Sequence, residues 1–324
     1  MQDKPVHSHQ IPLVIALVGP TGIGKSEVAY LLAKRLDGEI VSADSMQIYK
    51  EIDIGTAKPS KSDRSMVRHH MLDIVSLKEE YSVARFQEDS RHAISEIQGS
   101  GKTPLVVGGS GLYIRAIVDD LDFPPYTKKA LEIRKQLEEE AEAKGAAHLY
   151  ATLEEIDPDT AAGIHPNDIR RVIRAIEVKM VSGKRFSDFP KAWVSRESIY
   201  DLKMLGLRTQ RSTLNEMIDL RVDRMIDQGL IDEVKDLVDK GFKKELRRKR
   251  ALGYVEILDY LEGTIPVDEA VSRIKVKTHR FAKRQMTWFN ADSRVVWFNR
   301  GKEDDATKLT DRLESYLEEL KDEG

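Results

Sequence analysis

Gly19-Pro20-Thr21-Gly22-Ile23-Gly24-Lys25-Ser26 matches the phosphate-cradling pattern G-x-x-x-x-G-K-[ST] at every fixed position. The flanking residues fit that mechanism. The apolar run Ile11 to Val18 reads as a buried strand, and Ser26 to Leu36 repeats apolar residues at helical spacing (Val28, Leu31, Leu32, Leu36). Gly38 reads as the stop of that helix. The glycines let backbone N–H groups curl around phosphate oxygens, and the helix N-terminus adds a favourable dipole. All eight residues are therefore candidates for holding a diphosphate. Lys25 supplies a point charge, and the Ser26 hydroxyl is the candidate ligand of Mg²⁺.

Outward from this loop, strand-like and helix-like segments alternate. Glu39 to Ser42 reads as a second strand leading into Ala43-Asp44-Ser45, Ser82 to Gln98 as a helix, and Pro104 to Val107 as a strand stopping at Gly108-Gly109. Alternation of this kind predicts an α/β fold, a parallel sheet flanked by helices on both faces. Asp122-Phe123-Pro124-Pro125 breaks the pattern. From residue 122 to 196 only helices are read, including one capped by Asn167 or Asp168 that runs to about Val181, with Gly183 beyond. Met204 to Leu207 and Arg294 to Phe298 read as later strands. The expected organisation is a polar tail at residues 1–10, a P-loop domain from 11–121 and 197–324, and an all-helical insertion domain at 122–196.

With 324 residues, 40% hydrophobic and 33% charged, the chain has enough apolar material for such a core. No apolar run approaches the roughly 20 residues that span a bilayer, and the start has no apolar signal core. Cysteine is absent, which excludes disulfides, thiolate metal sites and cysteine nucleophiles. A cytoplasmic, monomeric enzyme without a membrane partner is the expectation. The net charge of −3 hides an asymmetry: Lys240 to Arg300 holds 15 Lys/Arg against 7 Asp/Glu, and Gly301 to Gly324 holds 4 against 9. This points to a localised basic surface, although a solvated helix face gives the same count.

The loop identifies a phosphate chain without its owner. Users of nucleoside triphosphates usually carry an acid at the end of another strand to hold Mg²⁺. Here the obvious strand ends Val106-Val107-Gly108-Gly109, and the nearest acid after a short strand is Asp44. Several longer segments then converge. Asp44-Ser45-Met46-Gln47-Ile48-Tyr49 with Asp53-Ile54-Gly55-Thr56-Ala57-Lys58-Pro59 resembles the signature of the tRNA dimethylallyltransferase (tRNA isopentenyltransferase) family. Gly108-Gly109-Ser110-Gly111-Leu112-Tyr113, the stretch Ile164 to Val178, Ala251-Leu252-Gly253-Tyr254 and Ala282-Lys283-Arg284-Gln285-Met286-Thr287-Trp288-Phe289 are similar to its further motifs, in order from about Leu13 to Phe298. Three departures are small: Gly22-Ile23 replaces the usual Ala-Ser, Ser26 replaces Thr, and Ser110 replaces Thr.

The resemblance implies transfer of a dimethylallyl group from dimethylallyl diphosphate to N6 of the adenosine immediately 3′ to the anticodon, with Mg²⁺. It implies Asp44 as general base, since the delocalised adenine amine must lose a proton as it attacks. It also implies that Lys25, Arg221 and Ser110 assist the departing diphosphate and that Asp44, Ser45, Met46 and Gln47 meet a flipped base. Gly253 and Tyr254 of the later motif, with Arg250 and Ser110, belong by the same resemblance to the tRNA side. On residues alone, Asp44 reads equally well as a helix N-cap, and Arg221 as an intrahelical partner of Glu216 or Asp219.

Two basic clusters are further candidates for the anticodon stem-loop. Arg170, Arg171 and Arg174 lie opposite the apolar stripe Ile169, Val172, Ile173 and Ile176. Arg280, Lys283 and Arg284 follow Arg247, Arg248, Lys249 and Arg250. Trp288, Phe289, Trp297 and Phe298 read as core, and His69-His70 as a pair lacking a carboxylate arrangement at metal spacing. The rival readings are an ATP-using small-molecule kinase, a prenyltransferase of free adenine nucleotides, and a nucleotide-gated RNA-binding switch.

Overall fold

Parallel pairing orders the whole sheet. The computed structural model describes residues 11–123, 127–188 and 196–322; the expected tail at 1–10 and Pro124 and Pro125 of the expected linker lie outside them. Six strands, β1 (Leu13–Val18), β2 (Gly38–Ser42), β3 (His69–His70), β4 (Thr103–Gly108), β5 (Asp201–Arg208) and β6 (Val295–Asn299), lie in the order β3-β2-β4-β1-β5-β6, and every pairing is parallel. Val14 to Val18 are each at most 2% exposed although successive side chains point to opposite faces, so both faces of β1 are covered. The α/β reading therefore holds. β3 is only two residues long, too short to show as a period in the sequence.

The helices between the first strands are α1 (Lys25–Arg35), α2 (Lys61–Met66), α3 (Val83–Gly99) and α4 (Gly111–Val118). Gly38 opens β2 instead of ending α1. Asp37 takes the left-handed turn, with φ 46°, and a Cβ at Gly38 would lie 2.6 Å from Leu105 and 2.7 Å from the Thr103 carbonyl. The glycine is required by close strand packing, not by the helix end. Because β2, β4 and β1 are parallel neighbours, their C-terminal ends bring Asp44, Gly108-Gly109 and the P-loop to one edge of the sheet.

The chain divides into two compact units, Met1–Tyr81, Asp89–Val118 and Tyr200–Gly324 forming one, Ser82–Glu88 and Asp119–Ile199 the other. The second takes the start of α3, which the sequence reading had placed with the sheet, because the Gln87 side-chain amide donates to the Leu121 carbonyl at 2.8 Å. It contains α5 (Lys128–Lys144), α6 (Ala146–Ile156), α7 (Pro158–Ala162) and α8 (Ile169–Ser182), packed around Leu149, Leu153, Val172, Ile173 and Ile176. Asp168 caps α8 through the Arg171 amide and Gly183 closes it in the left-handed region. Ile169 departs from its expected place in the buried stripe: it is 36% exposed at the first turn, ahead of the packed residues. An antiparallel bridge from Asp119 to Ser198 joins the two ends of the segment.

In the first unit, α9 (Arg211–Asp227), α10 (Leu230–Asp239), α11 (Lys243–Lys249), α12 (Tyr254–Leu261), α13 (Val267–Asn290) and α14 (Ala306–Asp322) complete the fold. Among the described residues, no helix is long and apolar enough to cross a membrane.

Candidate functional site

The P-loop adopts the shape its glycines predict. Gly22 and Gly24 have φ 83° and 92°, and α1 starts at Lys25 with no side chain capping its first turn. Its leading N–H groups are thus directed at whatever anion the loop holds. The Lys25 ammonium donates to the Pro20 carbonyl at 2.7 Å. Ile23 is completely buried, so its place among the diphosphate-binding residues is restricted to its backbone. Its carbonyl accepts Nη1 of Arg300 at 2.6 Å, and a Cβ on Gly24 would come within 2.2 Å of the same nitrogen. The Thr21 N–H donates to Oε1 of Gln285 at 2.8 Å. Two side chains distant in sequence therefore fix the loop.

Asp44 follows β2. Its Oδ1 accepts the Met46 N–H at 2.8 Å, and Ser45 to Ile48 form turns, so the carboxylate is oriented by a turn and caps no helix. Gln47 accepts the Ser42 hydroxyl at 2.9 Å and donates to the Thr56 carbonyl at 3.1 Å. The stretch Asp53 to Lys58 is held at several points. The Lys58 ammonium, only 1% exposed, meets the Tyr49 carbonyl, Asp53 and Asp73. Glu233 accepts the Ile54 N–H at 2.8 Å and the Tyr254 hydroxyl, and that hydroxyl in turn accepts the Gly55 N–H at 3.0 Å. Burial, followed by the Glu233 charge, pushes the Tyr254 phenol up, so it stays protonated and able to donate. Tyr254 is 1% exposed and acts here as a clamp on the 53–58 wall.

Arg221, on α9, reaches the same place. Neither expected helical partner takes it: Asp219 receives His279 at 2.8 Å and Glu216 faces Lys302 at 3.6 Å. Burial lowers its pKa while Asp44 opposes that shift. Lys25 is pushed down to about 7, by burial first and by Arg221 second, with Asp44 again opposing. Two half-buried cations face one carboxylate with no ion pair closed among them, so the pocket holds more positive than negative charge and suits an anion.

Two cavities share Thr21, Asp44, Thr56 and Arg221. The smaller, about 70 Å³, is polar and lined by Lys25, Ser26, Gln47, His69, Gly109 and Gln285. The larger, about 320 Å³, is walled by Ile218, Val222, Met225, Leu230, Leu252 and Phe281, with Arg250, Gly253, Tyr254 and Arg284 at its polar positions and Ser45 and Met46 beside Asp44. A compartment for charge thus adjoins one for apolar or aromatic matter, with Asp44 and Arg221 at the junction. No three His, Asp or Glu residues among those described are grouped to hold a metal. The Ser26 hydroxyl with phosphate oxygens and water does fit the all-oxygen set of Mg²⁺, which usually keeps substrate oxygens and waters as ligands.

The remaining candidates divide. Ser110 is half-buried and lines neither cavity, although it adjoins Gly109, which does. Arg280, Lys283 and Arg284 are exposed on α13. Arg170 and Arg171 are exposed, Arg171 facing Asp168 at 3.4 Å, but Arg174 pairs with Glu177, which is 1% exposed and also holds Arg134 at 2.7 Å. Trp288 corrects an expectation: it is 43% exposed, whereas Phe289 is buried, because the inward stripe of α13 is Ala282, Gln285 and Phe289. Trp297 and Phe298 are half-buried, and Phe298 packs edge-on against Tyr316. Of the histidine pair, His70 Nε2 lies 2.7 Å from the Glu39 carboxylate, and His69 donates through Nδ1 to the Val67 carbonyl at 2.7 Å.

The sequence model of IPP transferases matches residues 47–292. A tRNA dimethylallyltransferase of Carboxydothermus hydrogenoformans is 47% identical over 300 residues, covering 93% of this chain and 96% of that protein. The chain belongs to the IPP transferase family. Among solved structures, the full-length tRNA isopentenylpyrophosphate transferase of Bacillus halodurans has a TM-score of 0.67 at 38% identity, covering 96% of this chain and 98% of that one. A eukaryotic dimethylallyltransferase described as acting on tRNA has a TM-score of 0.76 at 30% identity, covering 89% and 74%. The resemblance read from the motifs is confirmed, and within this IPP transferase Glu233, Gln285 and Arg300 join the residues that shape the site.

Proposed function

We propose that this IPP transferase moves a dimethylallyl group from dimethylallyl diphosphate to N6 of the adenosine immediately 3′ to a tRNA anticodon. The observation that carries the reading is the pairing of cavities: a polar one at the P-loop and a mostly apolar one, joined at Asp44 and Arg221. The diphosphate occupies the first, with its oxygens on the α1 amides and Lys25. The allyl group and the everted base share the second. N6 attacks the allylic C1, the C1–O bond breaks with its electron pair leaving on diphosphate, and Asp44 takes the N6 proton. Arg221 and Lys25 stabilise the charge that grows on the bridging oxygen. The Ser26 hydroxyl would hold Mg²⁺ together with diphosphate oxygens, and the ion would supply further neutralisation of the leaving group.

Support for the acceptor comes from the relatives' names and from unpaired cations on α13 that suit phosphates. The test incubates the protein and Mg²⁺ with unmodified tRNA and either dimethylallyl diphosphate or ATP, then digests the RNA and weighs the fragments. The reading requires one anticodon-loop fragment heavier by a dimethylallyl group with the prenyl donor only. RNA left unchanged by that donor overturns it.

A further inference from the structure

Along α13 the cations follow two different rules. In its first half Arg273 holds Glu269 at 2.6 Å, Lys275 holds Asp223 at 2.7 Å and Lys277 holds Glu256 at 2.6 Å. In its second half Arg280, Lys283 and Arg284 are exposed and, among the described residues, meet no carboxylate. Arg280, Arg284 and Trp288 stand four residues apart and so form one line on the helix surface. The middle of that line is already functional ground, since Arg284 borders the larger cavity with Asp44. The C-terminal end of the line is an indole open over 43% of its surface. Its position is fixed: a Cβ on Gly111 would lie 2.7 Å from Trp288 Cε3, so the ring rests against a glycine backbone beside Ser110.

A large exposed aromatic propped on backbone, continuous with unpaired cations, has the composition of a single-stranded nucleic-acid platform, in which bases stack and phosphates find charge. A duplex face would call for the cations alone. We infer that Trp288 is a stacking platform for an unpaired loop nucleotide next to the everted adenosine, with Arg280 and Arg284 holding the flanking phosphates. The inference rests on the RNA-modifying reading above and adds its loop-side contact. It also gives Gly111 a reason: any larger residue there displaces the indole.

The test measures affinity of an unmodified anticodon stem-loop RNA for the full-length protein and for Trp288→Phe, Trp288→Leu and Arg280→Ala with Arg284→Ala, by fluorescence anisotropy over a salt series. Leucine still covers Gly111 but does not stack, so Trp288→Leu weakens binding roughly five- to hundredfold, the range for loss of one base–aromatic stack. Trp288→Phe stays within about threefold of wild type. The salt slope is unaltered in Trp288→Leu and shallower in the double arginine variant. An RNA with an abasic nucleotide beside the target removes the penalty of Trp288→Leu. Equal affinity of the Leu variant and wild type, or equal losses for Leu and Phe, overturns the platform. Because binding is read without turnover, failure of transfer by the wild-type protein is a separate result and counts against the activity alone.

Discussion

Arg221 and Arg174 are both mid-helix arginines with acidic residues within a turn, yet they are treated oppositely. Arg174 closes on Glu177, a carboxylate 1% exposed that also holds Arg134. Arg221 ignores Glu216 and Asp219, which face Lys302 and His279, and sits beside Lys25 with its pKa lowered by burial. One region uses its cations to neutralise its own buried charge. The other sets two half-buried cations against the single carboxylate of Asp44 at a cavity, an excess of positive charge that an arriving anion balances.

The largest expected effect tests the carboxylate that both cavity cations face. Asp44→Asn lowers the transfer rate by about 10²–10⁴-fold, the usual worth of a positioned base, with RNA affinity preserved in the anisotropy assay. A rate within a few-fold of wild type removes Asp44 from the chemistry. Arg221→Met comes next: single-turnover rates fall by about 10²–10³-fold, while thermal unfolding shows Tm unchanged or raised, because a half-buried cation that closes no ion pair has been replaced by an apolar side chain. A clear drop in Tm makes Arg221 an ordinary structural arginine like Arg174.

Lys25 sharpens the contrast through pH. Its folded pKa, pushed down to about 7, lies below the unfolded value near 10.5, so between these the unfolded chain binds more protons. Through this group, stability therefore rises with pH across that window. A bound diphosphate restores the ammonium, so binding takes up protons above pH 7 and weakens as pH rises from there. Calorimetry in buffers of different ionisation enthalpy reads the uptake, and Lys25→Met abolishes it. Smallest are the effects on α8. Arg174→Met costs the helical unit about 1–2 kcal/mol by leaving Glu177 to Arg134 alone. Arg170→Ala and Arg171→Ala each reduce the salt slope of tRNA binding by about 1. If Arg174→Met weakens RNA binding as much as these do, its pairing does not withdraw it from the surface.

The sequence disclosed what is local. The P-loop is a run of eight residues whose glycine positions dictate the backbone, and the strands of the parallel sheet stand out as apolar runs between helices. What fixes the site from a distance was hidden. Gln285 reaches Thr21 across 264 residues, Arg300 reaches Ile23 across 277, and Glu233 reaches Ile54 across 179. No spacing rule connects such pairs. Trp288 was legible and misread: Ala282, Gln285 and Phe289 mark the inward stripe of α13, and residue 288 falls beside it. Asp37 and Gly38 show the opposite limit, since which of two adjacent residues turns the chain depends on how tightly β2 meets β4.

A single binding experiment bears most directly on the unneutralised cations. Dimethylallyl thiodiphosphate, which resists transfer, is titrated by calorimetry with Mg²⁺ into wild type and Arg221→Met, with ATP as competitor. The account predicts binding to wild type, at least about tenfold weaker binding to Arg221→Met, and no hydrolysis of ATP. Equal affinity in the two proteins, with ATP displacing the analogue and being cleaved, contradicts it.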